Sequence, residues 1–286
     1  MDSILLPSNF DVKNVQYGTP KTNDNGGKSI YLSLKRSPIV LQTPEMYAPF
    51  GMTKWDNDSG LTKYTLDLSF KGMDKRDTLK TFFDRMLELD DKLIDDGTTN
   101  SFEWLKKKGA SREVVRHLYT KLVKFPVDKT TGEITDKYPP TFKLSLPFKE
   151  GAFQCEVYDA ERKRVDLNAT ETKGARVTAI IQCLGVWVAA GKFGCTWKVL
   201  QMKVVPPQSI RGYAFKELVN DNVEEEVSDD EDGKSVDVDE VLHHAPVATN
   251  TTKDSDDIVE SSDEEDDLDA KPTPVSKSTA SKGKKK

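Results

Sequence analysis

The sequence predicts an α+β fold, in which an antiparallel β domain with a helical insertion is followed by a long, acidic, disordered tail. Three observations predict it. Apolar residues alternate with a period of two up to Phe70 and again from Thr141 onwards. Between these stretches, about residues 74–123, the apolar spacing changes to three and four. Aromatic side chains also stop early: of 12 Phe, 8 Tyr and 4 Trp, the last is Phe215.

That stop coincides with a change of charge. From Asn220 to Lys286 there are 21 Asp/Glu against 8 Lys, or −13, which leaves +7 on the first 219 residues of a chain whose net charge is −6. A segment so poor in apolar side chains cannot offset the entropy lost on ordering, and its like charges repel. The expected organisation is a flexible N-terminal segment (1–28), a folded domain (29–217) with its helical insertion, and a disordered acidic tail (218–286) with a basic tip. Opposite charge on the two parts points to a nucleic-acid or protein partner.

The elements are read in order. Ser29–Leu34 and Ile39–Leu41 are strands flanking Ser37-Pro38, which is a break or an edge bulge. Leu61–Phe70 alternates, with Tyr64, Leu66, Leu68 and Phe70 on one face. Leu79, Phe82, Phe83, Met86, Leu89, Leu93 and Ile94 form a helical stripe, capped by Asp77 or Asp74 and ended by Gly97. Ser101–Lys108 and Ser111–Val123 make two further helices, the latter capped by Ser111 with Val114, Val115, Leu118 and Leu122 inward. Thr141–Leu146 and Phe153–Tyr158 are strands, and Asp159–Thr172 is a charged turn region. Ala175–Ala189 and Lys192–Val205 meet at Gly191 in a tight hairpin. This order describes a Greek-key, antiparallel β-barrel of the oligonucleotide-binding (OB) type.

Several function classes are set aside. Met1–Phe10 has no cationic stretch leading into an apolar run, so secretion is not expected. Ala179–Ala190, the most apolar stretch, is too short for a membrane span. Cys155, Cys183 and Cys195 lack Cys-x-x-Cys spacing and read as buried reduced thiols. In an intracellular chain the Asn-x-Ser/Thr triplets at Asn57, Asn168 and Asn250 carry no meaning. Gly26-Gly27-Lys28-Ser29 looks like the end of a phosphate loop, but Thr22 stands where that loop needs glycine and no helix follows. His117 sits in a helix, and His243 and His244 lie in the tail. With no nucleophile or carboxylate pair, the chain reads as a binder rather than an enzyme, and no cofactor or metal is expected.

What remains is basic residues interleaved with aromatics. In Lys192–Lys198, alternation puts Phe193, Cys195 and Trp197 on one face and Lys192, Thr196 and Lys198 on the other. A single-strand binder needs aromatic faces for bases and cations for phosphates, each stack contributing about 1–3 kcal/mol whatever the base. Tyr31, Lys35, Arg36, Trp55, Lys63 and Tyr64 offer the same mix, and Arg162, Lys163, Arg164 and Arg176 cluster around the turn region. These residues, with Lys192, Trp197 and Lys198, are the candidate nucleic-acid site. The competing reading makes the aromatics core and the charges solvated, with Trp187 and Phe193 in the core and Trp55 open either way.

The stretches Ser29-Ile30-Tyr31-Leu32-Ser33-Leu34, Pro49-Phe50-Gly51-Met52 and Gly191-Lys192-Phe193-Gly194-Cys195-Thr196-Trp197-Lys198-Val199 resemble the single-stranded DNA-binding proteins of large nucleocytoplasmic DNA viruses. That group is similar to phage replisome single-stranded DNA-binding proteins with an acidic C-terminal tail, and the resemblance covers about residues 25–215. It implies an OB barrel that coats single-stranded DNA, with RNA left open, during viral replication, recombination and repair. It further implies replication proteins as partners through the tail, no membrane, an open question of homo-oligomerisation, and a place in the host nucleus or a cytoplasmic viral factory. In the phage relatives the tail ends in an aromatic residue; here it closes with Lys282-Gly283-Lys284-Lys285-Lys286.

The tail adds two expectations. Its clusters Glu224–Glu226, Asp229–Asp232 and Asp263–Asp267 can mimic a phosphate backbone and compete for the domain's cations, or simply solubilise it. Ser228, Ser255, Ser261 and Ser262 precede acidic residues and are phosphorylation candidates. The alternatives are an acidic-tailed interaction or chaperone-like factor for basic partners, and a virion structural protein.

Overall fold

A computed structural model describes residues 4–24, 26–56, 62–208 and 214–216. The chain divides into two units, and all elements below lie in the first, within Ile4–Pro207. The acidic tail, its four serines and its two histidines lie outside the described residues.

Ten strands come first: β1 (Ile4–Leu5), β2 (Val15–Tyr17), β3 (Lys21–Thr22), β4 (Lys28–Ile30), β5 (Leu32–Leu34), β6 (Ser37–Pro38), β7 (Val40–Gln42), β8 (Met46–Ala48), β9 (Met52–Asp56) and β10 (Thr62–Ser69). Helices α1 (Asp77–Thr99), α2 (Ser101–Leu105) and α3 (Arg112–Leu118) follow. Then come β11 (Tyr119–Thr120), β12 (Val123–Lys124), β13 (Thr141–Leu146), β14 (Phe148–Lys149), β15 (Ala152–Phe153), β16 (Glu156–Tyr158), β17 (Ala175–Ala189) and β18 (Lys192–Val205). The fold is mixed α+β, with one large sheet and few helices.

The long hairpin spans the residues the alternation predicts. Its turn residues, Ala190 (φ 47°) and Gly191 (φ 76°), both take the left-handed backbone that a two-residue type I′ turn requires. One edge of β17 pairs with β18, and the other meets β8, β7 and β4 in succession. A register shift falls between Cys183 and Gly185, where β17 passes from β7 to β4. Gly185 (φ 116°) belongs there, because a Cβ would sit 2.3 Å from the Ile30 carbonyl oxygen.

The pairings β8–β10, β10–β13, β13–β18, β18–β17 and β17–β8 return to their starting strand. Inside this circuit lie Leu66, Leu68, Phe142, Leu144, Ile181, Trp197 and Val199, all buried. Helix α1 packs on the same core: Phe82 meets Phe70 at a tilt (5.8 Å) and Phe142 edge-on (5.5 Å), and farther along Gly97 lies against the Phe193 ring. Asp90 is buried on α1, accepting from Tyr119 Oη (2.6 Å), Leu122 N (2.9 Å) and Val123 N (3.2 Å), and burial pushes its pKa up to about 6.

Several expectations are corrected. The flexible segment over 1–28 instead contributes β1 to β3 and a buried Phe10, which meets Trp197 edge-on at 6.3 Å. Isolated apolar residues in a polar stretch gave no periodicity by which to see this. The sheet is not purely antiparallel, since β1–β7, β11–β18, β13–β18 and β16–β18 are parallel. Gly97 does not end α1, which runs to Thr99; its missing Cβ makes room for Phe193. Neither Asp77 nor Asp74 caps α1: Arg76 is the N-cap residue, without a side-chain cap. Helix α2 stops at Leu105, and α3 at Leu118 with Val114 exposed, although Ser111 does cap it. Ser29–Leu34 is broken at Tyr31, and Phe153–Tyr158 is two strands.

Candidate nucleic-acid interface

Strand β10 positions the site. Leu66 and Leu68 point into the core, so Lys63, Thr65 and Asp67 face outward, with Ser69 on the same face but buried. Cross-strand partners share a face. Trp55 opposite Lys63 and Tyr47 opposite Ser69 therefore lie on that outer face. The face continues in register through Thr53, Thr65, Ser145, Lys198 and Gln182. Thr65 Oγ1, in the middle of that row, is buried and lacks a hydrogen-bond partner in the protein.

Exposed aromatics mark the β8–β9 segment. Trp55 is 53% exposed, with Lys143 Nζ 6.0 Å from its ring centre. Tyr47 is 37% exposed, with Lys71 Nζ at 5.4 Å, and Arg176 stands opposite it in register. Phe50 is 64% exposed. The bend that separates Tyr47 from Trp55 is made at Gly51 (φ 69°), whose backbone closes so tightly on Lys173 that a Cβ would lie 2.7 Å from its nitrogen. Thr172 Oγ1 secures the bend by accepting from Met52 N at 2.9 Å. Rings beside ammonium groups gain cation–π attraction, which still leaves an open ring face for stacking.

The sequence-predicted residues fall in several places. Trp55 and Lys63 are adjacent in register, and Lys198 shares their outer face across β13. Arg176 joins Tyr47, although Glu45 takes part of its charge at 3.5 Å. Tyr31 is half-buried under Lys21 Nζ at 5.3 Å, where burial raises its phenol pKa. Lys35 and Arg36 form the exposed left-handed turn between β5 and β6. Arg162, Lys163 and Arg164 sit in the turn after β16, where Arg164 lies 3.8 Å from Glu156. Lys192 begins β18 opposite Ala189.

Two candidates are corrected. Trp197 is 1% exposed and packs on Phe10 and Phe142, so it has no face for a base. Tyr64 points to the core side, its ring engaged by Phe148 (4.7 Å) and Phe153 (4.8 Å). Phe193 is core as expected, whereas Trp187 is half-buried and lies over Gly194.

Tyr47, Phe50 and Lys143 were not among the sequence-predicted site residues, although Phe50 lies in one of the stretches that carry the resemblance. Two of them were within reach: Met46-Tyr47-Ala48 and Phe142-Lys143-Leu144 each place one outward residue between two inward ones. Among the described residues no cluster of His, Cys, Asp or Glu could hold a metal ion. No described helix is long and apolar enough to cross a membrane. The three cysteines are buried and free, with Cys183 Sγ 3.5 Å from Cys195 Sγ.

Comparison with known proteins finds one family, described as a family of unknown function (DUF5871), whose profile matches residues 78–221. The chain belongs to this family. The matched span runs from the first turn of α1 through β18, and so takes in α1, β13 and the long hairpin. An uncharacterized protein of Acanthamoeba polyphaga mimivirus is 25% identical over 181 residues. That match takes in 61% of this chain but only 27% of the mimivirus protein, so the chain spans about a quarter of that relative's length. Among solved structures, the single-stranded DNA-binding protein of bacteriophage Enc34 in complex with single-stranded DNA is similar at a TM-score of 0.38 and 14% identity, covering 68% of this chain and 98% of that one. Bacteriophage T7 gp2.5, also a single-stranded DNA-binding protein, is similar at 0.34 and 12%, covering 62% and 91%. At these scores the likenesses decide nothing about the ligand of this chain.

Proposed function

We propose that this chain binds single-stranded DNA without sequence preference along the outer face of β8, β9, β10, β13 and β18. The observation that carries this reading is the exposed Trp55, opposite Lys63 in register and with Lys143 Nζ 6.0 Å from its ring centre. An indole face open to solvent, with one ammonium beside it and a second lysine opposite in register, supplies a surface for a base and counter-charges for its flanking phosphates. Tyr47 with Lys71, and Phe50 beyond Gly51, extend the pattern along the same segment. Hydroxyls of Thr53 and Ser145, in the row between Trp55 and Lys198, offer donors to phosphate oxygens.

In this reading the strand circuit is an OB-type barrel, and the +7 of the first 219 residues draws the ligand in. The acidic segment 218–286 competes with the strand for the same cations and offers a docking region to replication proteins. The mimivirus relative supports a setting in a large DNA virus, where such a protein coats single strands during replication, recombination and repair.

Fluorescence anisotropy with labelled dT oligomers and a matched duplex tests the proposal. The expected result is tight, salt-sensitive binding to the single strand and weaker binding to duplex. Equal affinity for both at low salt, or none for either, overturns it.

A further inference from the structure

The α2–α3 connector carries a second basic and aromatic surface, separate from the outer face of β10. Helix α2 ends where Lys106 takes the left-handed conformation (φ 56°), and its amide donates back to the Phe102 carbonyl. Lys106, Lys107 and Lys108 follow one another, all exposed, and none makes an ion pair with a described carboxylate. Phe102 is 63% exposed, with Lys106 Nζ 5.8 Å from its ring centre. From β4, Lys28 reaches over to the same place, where its ammonium donates to the carbonyls of Glu103 and Trp104. Burial and then the neighbouring Lys106 lower the Lys28 pKa, which shows how closely like charges gather here. Lys28 stands opposite Val188 near the turn of the long hairpin, five residues along β18 from the Lys198 row, or roughly 17 Å at ordinary strand rise.

We propose that this surface, Phe102 with Lys28, Lys106, Lys107 and Lys108, binds the phosphate backbone of single-stranded nucleic acid as a secondary contact that only longer strands reach. The proposal rests on the reading above, since it extends the path of the same ligand. Four ammonium groups with three unpaired favour a polyanion, and an open ring beside a cation repeats the pattern at Trp55. Among the described residues, Glu103 is the one carboxylate that acts on Lys28 here. Its single charge is outnumbered by the lysines around it.

The test uses the full-length chain, its Lys106→Gln/Lys107→Gln/Lys108→Gln variant and its Phe102→Ala variant. Each is titrated with dT oligomers of about 8 and about 30 nucleotides, chosen against the roughly 4–16 nucleotides one such barrel covers. The triple variant should bind the short oligomer as wild type does and the long one about tenfold more weakly. Its log–log salt slope on the long oligomer should be smaller by about 2, the value for three lost phosphate contacts on a single strand. Phe102→Ala, which removes no charge, should weaken only the long oligomer and leave the slope unchanged. Wild-type behaviour of both variants on the long oligomer overturns this proposal while the Trp55 reading stands. Weakened capture of poly-glutamate with unaltered binding of long dT overturns it in favour of a protein partner. No binding of either oligomer by wild type overturns both proposals.

Discussion

Lys143 holds its ammonium 6.0 Å from the centre of the Trp55 indole, although the two residues are far apart in sequence and sit on strands that flank β10. Both side chains are free of the core, so either can be removed with little effect on folding. Trp55→Ala should weaken binding of dT oligomers roughly fivefold to a hundredfold, the range for losing one base stack. Trp55→Phe should retain most of the affinity, because it keeps a ring. Trp104 and Trp197 are buried and Trp187 is half-buried, so oligomer-induced quenching of tryptophan fluorescence should fall in Trp55→Phe to what Trp187 contributes. Wild-type affinity in the alanine variant would remove the β9–β10 ribbon from the interface.

Deleting residues 218–286 should tighten binding, most strongly at low salt. The deleted segment includes the stretch that carries −13, and screening weakens its competition as ionic strength rises. Anisotropy titrations of the full and shortened chains at two salt concentrations measure this. Unchanged or weaker binding after deletion would mean that the tail is no competitor.

Asp90 gives the fold a specific pH response. Its carboxyl is raised from 3.8 to about 6 in the folded chain, chiefly by burial, so between those values the folded state holds a proton that the unfolded state has released. This contribution favours folding below pH 4 and is lost as pH rises through 6, by about 3 kcal/mol in total. Urea unfolding from pH 4 to 7.5 should show wild-type stability falling more steeply than that of Asp90→Asn, which keeps an acceptor for Tyr119 and Leu122. Parallel curves would show that Asp90 stays ionised throughout.

Gly185→Ala should destabilise the domain by about 3 kcal/mol or more, since a Cβ there meets the Ile30 carbonyl at 2.3 Å with φ at 116°. Gly109→Ala is the control: its φ of 65° is also strained for alanine, but nothing lies within 4 Å. It should cost about 1 kcal/mol. Denaturant midpoints of the two variants decide between a steric and a purely conformational role for Gly185.

Period-two and period-three-to-four patterns made β10, β13, β17, β18 and the body of α1 legible, because each buries one face along a continuous run. What escaped was held by contacts distant in sequence. Phe10 and Val12 have polar neighbours, and only the core they enter explains them. Gly97 reads as a helix stop until Phe193 is brought against it. In the site, Trp55 and Lys63 were legible as residue types, but their pairing depends on the register of β9 on β10. Trp197 showed the limit of alternation: it gave the right face and the wrong environment, since a lysine-rich strand can still turn its tryptophan inward.

The single rail that β17 offers to β8, β7 and β4 also sets an order of assembly. Met46–Ala48, Val40–Gln42 and Lys28–Ile30 each have one partner nearer in sequence, in β10, β1 and β3, but gain their second only as Ala175 to Val188 is made, well over a hundred residues later. Until then a nascent chain carries short strands with open edges, and pairing across such separations is slow to nucleate. The N-terminal third is therefore committed to wait for the C-terminal hairpin, and the domain should leave the ribosome nearly complete before it first folds.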